Sequence, residues 1–88
     1  MGRSGSRVAG RALMHLKAIE CAHGLKITNK SEIVSEIACR VSDERSVLTI
    51  CTSLNTWVAM NRIGGSMFIP REVLEPLIEL AEIRERCA

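Results

Sequence analysis

His15, His23 and the four cysteines Cys21, Cys39, Cys51 and Cys87 are the side chains of this 88-residue chain best suited to bind a metal or attack a substrate. Their spacing serves neither purpose. No two cysteines form a CxxC pair, and a zinc site on His15, Cys21 and His23 lacks the second close pair of ligands that a tetrahedral ion needs. His15 and His23 stand eight residues apart on or beside one helical segment, as surface or capping residues do. There is no glycine-rich phosphate loop, no nucleophile–base–acid spacing and no carboxylate pair outside solvated helix faces. The expectation is a non-enzymatic protein with no cofactor and no bound metal, in which Cys39 and Cys51, lying in apolar stripes, are buried free thiols.

The remaining chemistry is recognition, and it concentrates in RSVLTICTSLNTWVAMNRIGGSMFIP, Arg45–Pro70, which holds the only Trp, the only Phe and the Gly64-Gly65 pair. A protein-binding patch wants an apolar centre with one or two anchors and a polar rim, and Trp, Met and Arg are common there. Trp57, Met60, Arg62, Met67, Phe68 and Ile69 supply those types around the Gly pair and are the candidate protein-binding set. The alternative is DNA, contacted by Arg3, Arg7 and Arg11 on phosphates together with Arg45, Thr49 and Arg62. The charge pattern favours protein. Residues 1–30 carry six basic groups against Glu20, whereas residues 31–88 carry six Arg against nine acidic groups, so the region where a reading helix would lie is acidic. Asp43 and Glu44 stand where that helix would meet phosphates, and its outer Ser and Thr residues release no counterions, the main source of DNA affinity.

These residues must be positioned by one small domain. Apolar content is 47%, yet aromatics are only 2%, so the core is aliphatic and favours helices packed on helices. A core of this size also favours homodimerisation. The longest uncharged run, Ser46–Asn61, has seven Ser, Thr or Asn in 16 residues, too short and too polar for a bilayer span. With no signal-like N-terminus, the cytoplasm is the default location.

Residues 1–7, MGRSGSR, have nothing to bury and read as a flexible basic tail before a domain over residues 8–88. Ala9, Ala12, Leu13, Leu16 and Ile19 predict a helix over Val8–His23 that Gly24 stops. Asn29 and Glu32 have the spacing of a capping box ahead of a second helix over Lys30–Val41, with Ile33, Val34, Ile37, Ala38 and Val41 on one face. After a turn of one or two residues, with Ser42 able to cap, Val47, Ile50, Cys51, Leu54, Trp57 and Val58 predict a third helix over Asp43–Arg62. The rival reading of its end is a β-wing, with strands over Trp57–Ile63 and Ser66–Ile69. Val73, Leu74, Leu77, Ile78 and Ala81 form a last apolar stripe opposite solvated Glu72, Glu75, Glu79, Glu82 and Glu85. Pro70 and Pro76 leave the start of that helix open.

Two helices joined by so short a link form what a helix-turn-helix needs. The segment SEIVSEIACRVSDERSVLTICTSLNTWVAMNRIGG, Ser31–Gly65, is similar to the helix-turn-helix variant of regulators of integrative and conjugative elements, in which a short helix precedes a long one ending in a Gly pair. Within that group the small quorum-sensing antiactivators resemble this chain in size, and SLNTWV…FIP is similar to a second antiactivator lineage. RIGGSMFIPREVLEPLIE, Arg62–Glu79, resembles instead the wing and following helix of excisionase-type winged helices. The first resemblance implies a non-enzymatic transcription regulator that binds and inhibits a transcriptional activator by protein–protein contact, controlling mobile-element transfer. The second implies a DNA-binding factor. The expected fold is all-α, about four helices in a helix-turn-helix-like domain, with or without the wing.

Overall fold

Four helices and two very short strands make up the computed structural model, which describes residues 3–87: α1 Arg3–His23, β1 Lys26–Ile27, α2 Lys30–Arg40, α3 Glu44–Asn61, β2 Ser66–Met67 and α4 Arg71–Cys87. The fold class is all-α, as the aliphatic composition predicts. The helices bury one continuous aliphatic core, with Leu16, Ile33, Ile37, Ile50, Leu54 and Ile78 among its fully enclosed side chains.

On α1 the buried positions Val8, Ala12, Leu16 and Ile19 recur every three or four residues, the spacing that places side chains on one helix face. Gly24 ends the helix with φ +62, and the Leu25 N–H returns to the Glu20 carbonyl at 3.0 Å. This is the six-to-one bond of a Schellman cap, which glycine makes without a Cβ penalty. The start differs from expectation. The helix extends back to Arg3, so residues 3–7 of the expected tail are helical, while Met1 and Gly2 lie outside the described residues. Arg7 reaches Glu44 of α3 at 3.7 Å, a partner 37 positions away that no local pattern reveals.

The capping box ahead of α2 does not form. Asn29 precedes the helix but makes no side-chain cap bond. Its amide nitrogen instead donates to the Ile69 carbonyl at 2.8 Å, and its oxygen accepts from the Ile69 N–H at 3.0 Å. Glu32 is exposed. Cys39 is exposed too, because it lies two residues beyond buried Ile37 and so on the other side of the helix. Cys51 is buried as expected, and burial pushes its thiol up to about 12.

The α2–α3 link is three residues, Val41–Asp43, and Asp43 rather than Ser42 caps α3, accepting from the Arg45 N–H at 3.0 Å. Val47, Ile50, Cys51, Leu54 and Val58 are buried along α3, with Trp57 half-buried against them. The wing is absent. Trp57–Asn61 is helix, and Ser66–Met67 pairs in parallel with Lys26–Ile27 instead of forming a hairpin. Backbone bonds from Lys26 to Gly65 at 2.9 Å and from Thr28 to Met67 at 2.8 Å, with Asn29 on Ile69, join the α1–α2 and α3–α4 connections. Neither Gly64 nor Gly65 takes a positive φ, so the Gly pair turns no hairpin.

The Pro70 carbonyl accepts from Val73 and Leu74, so α4 starts at Arg71 and runs through Pro76. Pro76 has no N–H for the Glu72 carbonyl, a deficit tolerated because Pro76 is exposed.

Candidate protein-docking surface

The C-terminal end of α3 and the segment after it carry the largest exposed side chains of the predicted set. Met60 is 78% exposed and Phe68 59%, and Arg62 is exposed at the helix end, where its N–H bonds the Val58 carbonyl at 2.9 Å. Between them Ile63 is 95% exposed, a large β-branched side chain left entirely in water. It lies five residues past Val58, off the helical stripe and outside the expected set. Its signal in the sequence is an isolated aliphatic between Arg62 and two glycines.

Two members of the predicted set belong elsewhere. Met67 and Ile69 are buried, and they are core residues rather than surface anchors. The cause is local: residues 66–69 are extended, so Ser66 and Phe68 point out while Met67 and Ile69 point in. The sequence does not announce that alternation, because Met67, Phe68 and Ile69 are three apolar residues in a row. Trp57 is intermediate, packed on the core with part of its surface free. Phe68 lines a shallow groove between α2 and α4 whose walls include Glu32, Glu36, Glu75, Arg71 and Leu74. The exposed apolar residues about the α3–α4 connection are therefore Met60, Ile63 and Phe68, with Trp57 half-buried on the core and Arg62 exposed at the helix end.

The opposite end of α3 has a different chemistry. The Glu85 carboxylate, from α4, accepts from the Ser42 N–H at 3.1 Å, the Asp43 N–H at 3.0 Å and the Ser46 hydroxyl at 2.7 Å. Glu85 therefore takes the two backbone donors just ahead of α3. Inside the first turn of α3 the Arg45 N–H goes to the Asp43 side chain and the Ser46 N–H to the Asp43 carbonyl at 3.0 Å. An anion arriving at this helix start meets a carboxylate and few free donors. Glu44 beside them draws Arg11 to 3.5 Å and Arg7 to 3.7 Å. Of the DNA set, Arg7, Arg11, Arg45 and Thr49 gather at this end, where the Thr49 hydroxyl donates to the Arg45 carbonyl at 3.0 Å. Arg62 is 17 residues along α3 from Arg45, about 25 Å away at the usual helical rise. The side chain of Arg3 lies outside the described residues.

The glutamates expected as a solvated stripe on α4 are largely engaged. Arg40 of α2 holds Glu75 through two bonds of 2.7 and 2.8 Å, Glu82 at 2.9 and 3.1 Å, and Glu36 at 3.1 Å. Hydrogen bonds to the guanidinium hold the Glu75 and Glu82 carboxyls below the ordinary range and raise the Arg40 pKa above its own. Glu20 is likewise lowered: burial opposes its charge, but the Lys30 ammonium at 2.9 Å and the Ile27 N–H at 2.8 Å outweigh it. His23 bonds Asn55 at 2.8 Å, tying the end of α1 to α3. Among the described residues no group of three or more His, Cys, Asp or Glu is placed to hold a metal ion, and no polar side chain is fully buried. Among the described residues no helix is long and apolar enough to cross a membrane.

No family model matches the chain, and no curated protein or solved structure matches it.

Proposed function

We propose that this chain is a small helix-turn-helix-like regulator that binds and inhibits a transcriptional activator by protein–protein contact, without chemistry of its own. The observation that carries the reading is the exposure of Met60, Ile63 and Phe68 around the α3–α4 connection. Large apolar side chains in water are costly to keep unless a partner covers them, and Met and aromatic residues beside an Arg have the composition of an interface centre. Exposed Glu32 on the groove beside Phe68 offers a contact to a basic partner surface. The DNA-binding face of an activator is such a surface, and covering it is the simplest route to inhibition. An inhibitor of this kind acts in the cytoplasm, and the resemblance to antiactivators of integrative and conjugative elements gives mobile-element transfer as the process controlled.

The DNA-binding alternative has less support. Just ahead of α3 the Ser42 and Asp43 N–H groups are taken by Glu85 and inside the helix the Arg45 N–H by Asp43, two of the arginines are paired with Glu44, and Arg62 stands at the far end of the helix. The test is affinity capture from the native host with the full chain as bait, beside a Met60→Ser/Ile63→Ser/Phe68→Ser variant. The expected result is a transcriptional activator retained by the native chain and lost by the variant, with unchanged circular dichroism. Undiminished capture by the folded variant sinks the patch. Steep, salt-dependent binding of the native chain to nonspecific duplex would restore the DNA reading.

A further inference from the structure

Helix α4 has two apolar faces, and the bundle covers the second only at Val73, near its start. Leu74, Ile78 and Ala81 are buried in the core. Val73, Pro76, Leu80, Ile83 and Cys87 recur at alternating intervals of three and four residues, the spacing of a coiled-coil seam. At 100° per residue they occupy a strip roughly opposite the buried face. Leu80 is 47% exposed and Ile83 45%, Pro76 and Cys87 are exposed, and Val73 is half-buried. No charged residue interrupts this strip.

The charges flanking the strip indicate what covers it. Glu75 and Glu82 are held by Arg40, and Glu85 by the start of α3, so those three are spent inside the molecule. The exposed charges left on the outer half of α4 are Glu72 and Glu79 towards its start and Arg84 and Arg86 towards its end. Glu72, Glu79 and Arg86 share one flank, seven residues apart. A helix that runs from acidic to basic along one flank complements a reversed copy of itself.

We infer that two copies of this chain pair antiparallel through the Pro76–Cys87 face of α4. A two-fold axis between residues 81 and 82 places Leu80 against Ile83 of the second copy, Pro76 against Cys87, and Glu79 beside Arg86. The same contacts then occur twice, as a closed two-fold interface requires. The antiparallel arrangement also sets the helix dipoles in opposition. This interface is separate from the Met60, Ile63 and Phe68 surface and does not depend on the activator-binding proposal.

Sedimentation velocity of the full chain over a concentration series reads the proposal directly. The expected result is a concentration-dependent dimer that Leu80→Glu and Ile83→Glu each shift to monomer, by at least tenfold in dissociation constant, with helicity unchanged. Both side chains are about half exposed, so the fold should tolerate the charge. If either variant unfolds, charge reversal at the surface decides: Glu79→Arg should weaken the dimer and Arg86→Glu added to it should restore it. For orientation, a Cys21→Ser/Cys39→Ser chain keeps Cys87 as the only accessible thiol. In the antiparallel pair the two Cys87 residues are about 16 Å apart along the axis and form no disulfide under mild oxidation. A monomer at high micromolar concentration, a dimer indifferent to all these changes, or rapid Cys87–Cys87 cross-linking would each overturn the inference.

Discussion

The side-chain amide of Asn29 donates to and accepts from the backbone of Ile69, so one residue extends the two-residue parallel ladder without being part of a strand. Replacement by Ala leaves the partly buried N–H and C=O of Ile69 without this partner, at a cost of about 1–3 kcal/mol. Asn29→Asp retains the acceptor alone and should fall between the two. Chemical denaturation of the three chains gives the order directly, and equal midpoints would show that the pairing contributes nothing. The glycines provide a contrast of sign. Gly24 has φ +62, so Gly24→Ala should destabilise by about 1 kcal/mol. Gly64 and Gly65 have negative φ and open space where a Cβ would stand, so Ala at either should be neutral or stabilise by up to about 1 kcal/mol through the unfolded chain. Thermal melts showing a loss at residue 64 or 65 would mean the Gly pair has a backbone role in the free protein. A loss of partner capture with an unchanged melt would instead assign the pair to the interface.

At the scale of elements, the packing of α2 on α4 is polar where the rest of the bundle is aliphatic. Arg40 joins Glu36 on its own helix to Glu75 and Glu82 on α4. Glu75 and Glu82 have folded-state pKa values below the ordinary carboxylate value. Their contribution is therefore complete above that ordinary value and is lost as pH falls through the folded values. The melting temperature should drop from about pH 5 towards pH 3, and Arg40→Met should flatten that drop, since the methionine variant has no guanidinium to lose. A drop of the same size in both chains would place the acid sensitivity elsewhere. Much of the element structure was legible because a stripe on one helix is a local pattern: Val47, Ile50, Cys51, Leu54 and Val58 need only their own spacing to be read as a buried face. The residues that misled were those whose partners are distant. Glu32 was a suitable capping-box partner, but Asn29 went to Ile69, 40 positions on; Glu85 read as solvated until α4 placed it at the start of α3. Met67 and Ile69 read as surface residues because a parallel bridge to Lys26–Ile27 has no turn signal to announce it.

For the whole molecule, the sequence asymmetry of a basic first third and an acidic remainder becomes a spatial pairing. Arg7 and Arg11 of α1 lie against Glu44, and Glu85 covers the Ser42 and Asp43 backbone donors just ahead of α3, so carboxylates offset the basic groups placed near a reading helix. The ion pairs are largely exposed and individually weak. Their consequence is electrostatic rather than structural: one carboxylate beside two arginines lowers the counterion release that would drive binding to duplex. The native chain should accordingly show flat anisotropy with nonspecific duplex at low salt. Glu44→Gln with Glu85→Gln removes two negative charges at that end and frees two arginines. If blocked charge is what separates this surface from a DNA-binding one, the double variant should gain weak binding whose logarithmic salt slope is about −2, the value for roughly two neutralised phosphates. Circular dichroism must first show that α3, still capped by Asp43, persists without the Glu85 carboxylate ahead of it. Binding by the native chain with a slope of that size or steeper would show that the carboxylates do not block it. A folded double variant that stays flat would show that the positions of the arginines, and not their neutralisation, keep DNA away.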